Sequence, residues 1–288
     1  MSKKISFGYI MIIIVLMIYT LLCFVPMLLV ISVSLSTSNA LAHDGIRLFP
    51  REVSFDAYRA LVYGSTSLIN SYSITLLTTI IGTLLAVLTS TMAAFTLNNP
   101  TFPYRRFFSL FFFFTMLFNG GMVPWYMINK RLGLYNNIWA LIIPSLVFNP
   151  YNMFLVRNYM KALPIELMDA ARIDGANEMG IAFRIYLPLS MPVIAAIAMF
   201  YGLGYWNSWW NCLMLTDDIE LRTLQTLLLN IRSKLNALKL SNVAVSVKIP
   251  DEPLQNATTI ATIGPIILLY PLLQRYFVKG MVIGAIKG

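Results

Sequence analysis

The sequence predicts an all-α integral membrane protein with six transmembrane helices, and three observations lead there. Charged residues make up only 11% of the 288 and hydrophobic ones 58%, with a mean hydropathy of +0.71. A soluble domain carries roughly 25% charged residues, so most of this chain's surface must face something apolar. Charge is also missing in blocks: windows 5–42, 60–104, 107–129, 132–156, 185–216 and 253–274 hold no Lys, Arg, Asp or Glu. A span needs roughly 20 such residues, because an ionised group at mid-bilayer costs several kcal/mol. Finally, the chain lacks the period-2 alternation of a membrane β-barrel, and a bilayer leaves helices as the other way to satisfy the backbone.

Trimmed by hydropathy, the windows predict spans near 9–34, 69–96, 107–127, 136–156, 189–213 and 257–276, in a single transmembrane domain covering 1–288. The first follows Lys3-Lys4 and precedes Ala40-Leu41-Ala42, as a cleaved signal would. Its apolar run from Tyr9 to Val33 is longer than the 7–15 residues of a signal core, which favours a retained helix. Cytoplasmic N- and C-termini follow from the distribution of positive charge. That orientation puts Lys3, Lys4, Arg105, Arg106, Arg157, Lys161, Arg172, Arg184, Arg275, Lys279 and Lys287 inside, eleven of the 21 Lys and Arg on the shorter total loop length. Asp217, Asp218, Glu220, Asp251 and Glu252 fall outside.

The net charge of +9 does not imply nucleic-acid binding, because the basic residues are scattered between apolar runs instead of forming a stripe. Cys23 and Cys212 both lie in apolar stretches without metal-type spacing, and His43 stands alone in a polar loop, so no metal site is expected.

Two loops exceed simple turns. The external segment 214–256 contains an amphipathic stretch (Leu221, Leu224, Leu227, Leu228, Ile231) and a Pro250–Pro253 corner. The cytoplasmic segment 157–188 predicts a helix-turn-helix elbow. Pro164 suits a first turn, Glu166 the positive helix N-terminus and Gly175 the end, and a second short helix near Glu178–Tyr186 should stop at Pro188. Ala170 and Ala171 are small enough for another backbone to come close, among Asp169, Arg172, Asp174 and Glu178; any interfacial helix can also hold Ala pairs and alternating charge.

The run Asp169-Ala170-Ala171, three residues, Gly175, nine residues, Ile185, one residue, Leu187-Pro188 resembles the EAA signature of permease subunits in binding-protein-dependent ABC importers. Every spacing fits, and the one departure is aspartate for the usual glutamate at Asp169. The segments 118–137, 205–215 and 274–288 resemble the carbohydrate-uptake branch, in particular the maltose-type second permease and the polysaccharide or lipoprotein-associated subgroup.

The resemblance implies the type I importer permease fold in a bacterial inner or plasma membrane. It also implies that Asp169, Ala170, Ala171, Asp174 and Gly175 lie in a coupling helix seated on a separate ATPase dimer. No Gly-Lys dipeptide exists in the chain, so it has no phosphate loop, and ATP and magnesium belong to that partner. The other implied partners are a second homologous permease, an extracytoplasmic solute-binding protein and a carbohydrate substrate.

A sugar offers hydroxyls to hydrogen-bond and ring faces to stack, so its path should combine amides with aromatics. Candidates are Asn119 on the third span and Tyr205, Trp206, Asn207, Trp209 and Asn211 on the fifth, with Asn207 and Asn211 on one helical face. Trp and Tyr also gather at membrane interfaces as anchors, and amides also bind neighbouring helices. A non-sugar solute remains open. An intramembrane enzyme is disfavoured, because the charge-free windows offer no carboxylate or histidine at mid-span, and a passive channel would need no docking elbow.

Overall fold

The computed structural model describes residues 7–63, 66–144, 146–240 and 252–267. The tail of the sixth predicted span beyond 267, the Pro250 corner and the basic C-terminal segment lie outside these. The described residues are almost wholly helical and contain no strand, only a single Ser36–Val53 bridge. The chain divides into two compact units, with boundaries at 68/69, 227/228 and 265/266.

In the first unit, α1 (Phe7–Ser34) is apolar on every side, and no residue from Gly8 to Leu28 is buried. A helix apolar all round belongs in a core or a bilayer, and exposure leaves the bilayer. α2 (Ser38–Asp44) starts at Thr37, whose hydroxyl accepts from Ala40 N–H, and ends at Gly45 with φ +72°. α3 is Asp56–Tyr63. Ser32 Oγ donates to the Arg47 carbonyl at 2.6 Å, and Ser34 Oγ meets Tyr58 Oη at 2.9 Å. These bonds fold the polar segment after α1 back onto its end.

In the second unit, α4 (Thr66–Asn98, its first residues in the first unit) is 33 residues long, about 50 Å. It and α1 are the two described helices long and apolar enough to cross a membrane unaided. There the agreement with six unbroken spans ends, because three of the charge-free windows hold broken helices. The third divides into α5 (Arg105–Leu117) and α6 (Met122–Arg131), where Asn119 Oδ1 accepts from Gly121 N–H at 2.9 Å and Gly121 takes φ +85°. The fourth divides into α7 (Ile138–Ile142) and α8 (Pro150–Lys161), interrupted by Pro144 and restarted by Asn149, whose side chain accepts from Tyr151 and Asn152 N–H. Caps and turns made by uncharged residues end helices without altering hydropathy.

The elbow follows as α9 (Glu166–Ile173) and α10 (Glu178–Ile181), the latter capped by Asn177. Contrary to expectation, this second helix runs past Pro188. A wide π-turn over Ala182–Tyr186, with Leu187 N–H reaching the Ala182 carbonyl, leads into α11 (Leu187–Leu189). Pro188 has no N–H to lose, so a helix already loosened by the π-turn carries it. The break comes at Ser190, where the path bends by 83° into α12 (Met191–Trp206). α13 (Trp210–Leu215) follows; α14 (Leu224–Leu240) covers the predicted amphipathic stretch from Leu224 onward, and its residues from Leu228, like most of a further helix over 252–267, belong to the first unit.

The core of the second unit joins α4, α8, α9 and α12 through Phe95, Met153, Met160, Met168, Tyr186 and Tyr205, all buried. The elbow is therefore built into the helical core by its inner face.

Candidate functional site

A broken helix inside a bilayer exposes backbone carbonyls that water cannot reach. The break between α7 and α8 is closed by side chains from other helices. Tyr205 Oη donates to the Ile142 carbonyl at 2.9 Å, Asn211 Nδ2 to the Pro144 carbonyl at 2.8 Å and Thr89 Oγ1 to the Val147 carbonyl at 2.8 Å. At the far end Asn149 N–H donates to Tyr201 Oη at 3.0 Å, and Tyr201 Oη meets Ser90 Oγ at 2.6 Å. Tyr205 and Asn211, expected as path residues, are buried at 1% and 3% exposure and bound to helix partners. Nor do Asn207 and Asn211 share a helical face, because α12 ends at Trp206 and α13 begins at Trp210. Asn207 caps α12, with its amide donating to the Leu203 carbonyl and its Oδ1 accepting from Gln225 Nε2 at 3.0 Å.

Trp206 is buried and walls an apolar groove of about 360 Å³ with Thr79, Thr83, Met199 and Gly202. Asn119 and the exposed indole of Trp210 share a larger space of about 750 Å³ with Phe118, Gly121, Met122 and Trp125. Trp125 and Trp210 face each other at 6.3 Å between ring centres, and Trp209 meets Trp210 edge-on at 5.6 Å. Two indoles beside a solvent-exposed amide make the described cavity best suited to a ring with hydroxyls.

Next to this cavity the turn after α6 is pinned to the end of α13. Asn136, at φ +52°, accepts from Asp217 and Asp218 N–H, and the Tyr135 hydroxyl donates to the Asp217 carboxylate. That bond to an anion pushes the Tyr135 pKa up to about 12. Because the folded value lies above the free value of about 10, the stabilisation is complete below pH 10 and is lost as pH rises through about 12. Tyr135→Phe is expected to remove this alkaline component, and ultraviolet titration of tyrosinate checks it; an unchanged titration curve would contradict the bond.

On the elbow, α9 is amphipathic. Met168 and Ala171 are buried, whereas Asp169, Ala170, Asp174 and Gly175 are exposed. Ala171, expected to meet a partner, instead packs in the core, where its small size lets α9 lie close. Ile173, at 86% exposure, and Met179, at 63%, project from the outer side. Gly175 takes φ +81°, and Ala176 N–H returns to the Ala171 carbonyl at 2.9 Å, a helix stop that favours glycine. Four of the five predicted coupling residues thus form one exposed surface with Ile173. No local pattern singles out Ile173, whose significance is its exposure.

Residues 80–283 match the family described as the binding-protein-dependent transport system inner membrane component. The chain is 32% identical to the polygalacturonan/rhamnogalacturonan transport system permease protein YtcP of Bacillus subtilis, over 95% of this chain and 96% of that protein. It is 36% identical to Protein LplC of the same organism, over 91% and 89%. A crystal structure of a bacterial ABC transporter involved in the import of the acidic polysaccharide alginate includes a chain that superposes with a TM-score of 0.85 at 28% identity, over 96% of this chain and 99% of that one. The protein is a multi-pass membrane permease subunit, and it belongs to the family of binding-protein-dependent transport system inner membrane components.

Proposed function

We propose that this chain forms half of a carbohydrate path through a bacterial plasma membrane, with both termini cytoplasmic, and is driven by an ATPase dimer seated on α9. One observation carries the reading: Ile173 stands exposed on the elbow, between Ala170 and Gly175, while the opposite face of the same helix is buried in the core. An isoleucine exposed at the end of a helix whose other face is buried is suited to a pocket on another protein. In this reading the chain performs no chemistry, and ATP and magnesium are held by the ATPase. A second, homologous permease supplies the other half of the path, and an external binding protein delivers an oligosaccharide to the outer face. Closure of the ATPase dimer displaces the elbow, and rigid-body movement of the packed helices exchanges outward for inward access.

Purification with the ATPase, the second permease and the binding protein tests this directly. Vanadate-sensitive hydrolysis should require this chain and rise when loaded binding protein is added. Hydrolysis by the ATPase that is indifferent to this chain would overturn the proposal.

The cavity beside Trp125 and Trp210 is assigned to the solute. Trp210→Ala should raise the half-saturating solute concentration for uptake by roughly 2- to 12-fold, the equivalent of about 0.5–1.5 kcal/mol of ring stacking. Uptake of radiolabelled oligosaccharide measures it, and an unchanged half-saturating value would remove this cavity from the path.

A further inference from the structure

Where α4 ends, a polar ring closes over the elbow. Arg172 donates to Glu178 Oε1 from Nη2 at 2.8 Å and from Nε at 3.0 Å. The same Nη2 donates to Asn99 Oδ1 at 3.2 Å, and Asn99 Nδ2 donates back to Glu178 Oε2 at 3.1 Å. Asp169 completes the surroundings, with a carboxylate oxygen 3.7 Å from Arg172 Nη1. Asn99 itself follows directly on α4, with its N–H bonded to the Phe95 carbonyl at 3.1 Å, and Thr101 bonds its Oδ1 through both N–H and hydroxyl. Beneath the ring, Phe95 of α4 meets Tyr186 edge-on at 5.3 Å.

We propose that Arg172, held between Asn99 and Glu178, is a positioning residue that makes the α9–α10 elbow and the cytoplasmic end of α4 move as one body. The inference rests on the reading of α9 as the seat of the ATPase. An ion pair this exposed contributes little to stability, because solvent competes for both partners. Its value is geometric. One guanidinium is fixed from two sides, by α10 through Glu178 and by α4 through Asn99, so neither helix can slide without breaking the ring. A displacement applied at α9 therefore passes to the base of a rigid helix about 50 Å long, which carries it across the membrane.

The ring makes an unusual prediction about charge reversal. Asn99 is both donor and acceptor, so turning its amide over lets it serve a carboxylate at 172 and a guanidinium at 178, at the loss of the two Thr101 bonds to Oδ1. Arg172→Glu or Glu178→Arg alone should lower the solute transported per ATP hydrolysed by about tenfold, within the range usual for coupling between sites. The double reversal should recover part of that ratio, and adding Asn99→Ala should abolish the recovery. A purely structural role would move assembly and melting instead of this ratio.

The measurement uses the whole transporter in proteoliposomes, with spin labels on Thr96 of α4 and Glu166 of α9, both exposed. In the wild type the distance between labels should be the same with and without ATP; in either single reversal it should broaden on ATP addition. Asn99→Ala, which changes no charge, provides the same test where a reversal fails to assemble. A wild-type distance that shifts with ATP, or a transport ratio indifferent to Arg172 and Asn99, overturns the latch while leaving the ATPase seat intact. Wild-type chain that fails to support hydrolysis stimulated by the binding protein overturns the seat, and the latch with it.

Discussion

Gly82→Ala is expected to destabilise the protein by about 1–3 kcal/mol, an effect set by a single contact. A Cβ at position 82 would lie 2.4 Å from Cζ of Tyr205 and within 2.7 Å of two further ring atoms. A flexible side-chain tip could swing away, but this ring is 1% exposed and its hydroxyl is bonded to the Ile142 carbonyl. If the ring moves, that carbonyl is left without its donor inside the bilayer. Either the α4–α12 contact opens or the α7 end loses its cap. Thermal unfolding in detergent measures the loss. With Tyr205→Leu already in place, the same alanine should cost little, because contacting residues do not add independently. A full additive penalty in the double variant would contradict the contact.

The largest functional effect is expected from Ile173→Glu. In the isolated chain this side chain is 86% exposed, so the change should leave folding within about 0.5 kcal/mol of wild type. Against an ATPase pocket it places an unpaired charge in an apolar contact, which costs about 2 kcal/mol or more, a loss of affinity of roughly 30-fold or greater. Co-purification of the ATPase and stimulated hydrolysis both report it. Ile173→Leu, which keeps the apolar contact, should retain most of both. This combination of an unaffected fold and a lost partner separates a docking residue from a core one.

The first and second spans were legible within about three residues, because a charge-free apolar run bounded by polar ones leaves α1 and α4 little latitude. The elbow was legible for a different reason: Pro164, Glu166 and Gly175 are local signals, and each acts where it stands. The breaks at Pro144, Asn149 and Asn207 were hidden because these residues carry no charge and hydropathy averages over them, whereas the Gly120-Gly121 pair already suits the backbone turn between α5 and α6. Their signal was present in the Asn-Gly-Gly and Asn-Pro pairs, which end and restart helices.

Tyr205 and Asn211 turn to helix partners because of those breaks, which for Asn211 is the alternative its amide already offered. A polar group on an unbroken span has no backbone left to bond, so a path was the natural destination for it. Once α7 ends at Ile142, the freed carbonyls require donors, and Tyr205 and Asn211 supply them. Thr89 does the same for the Val147 carbonyl, and Tyr201 Oη accepts from the Asn149 N–H at the far end of the break. Gly82 and the Asn99–Arg172–Glu178 ring are tertiary in origin, each pairing α4 with residues far along the chain, and no local pattern encodes them.

Uptake of labelled oligosaccharide into proteoliposomes containing this chain, the second permease and the ATPase, with the binding protein outside and ATP within, tests the coupling role of α9 most directly. Wild-type chain should accumulate solute only when ATP is present, and Ile173→Glu should abolish accumulation although the chain itself inserts and folds. Accumulation by Ile173→Glu at the wild-type rate, or uptake by wild type without ATP, would contradict a path driven from α9.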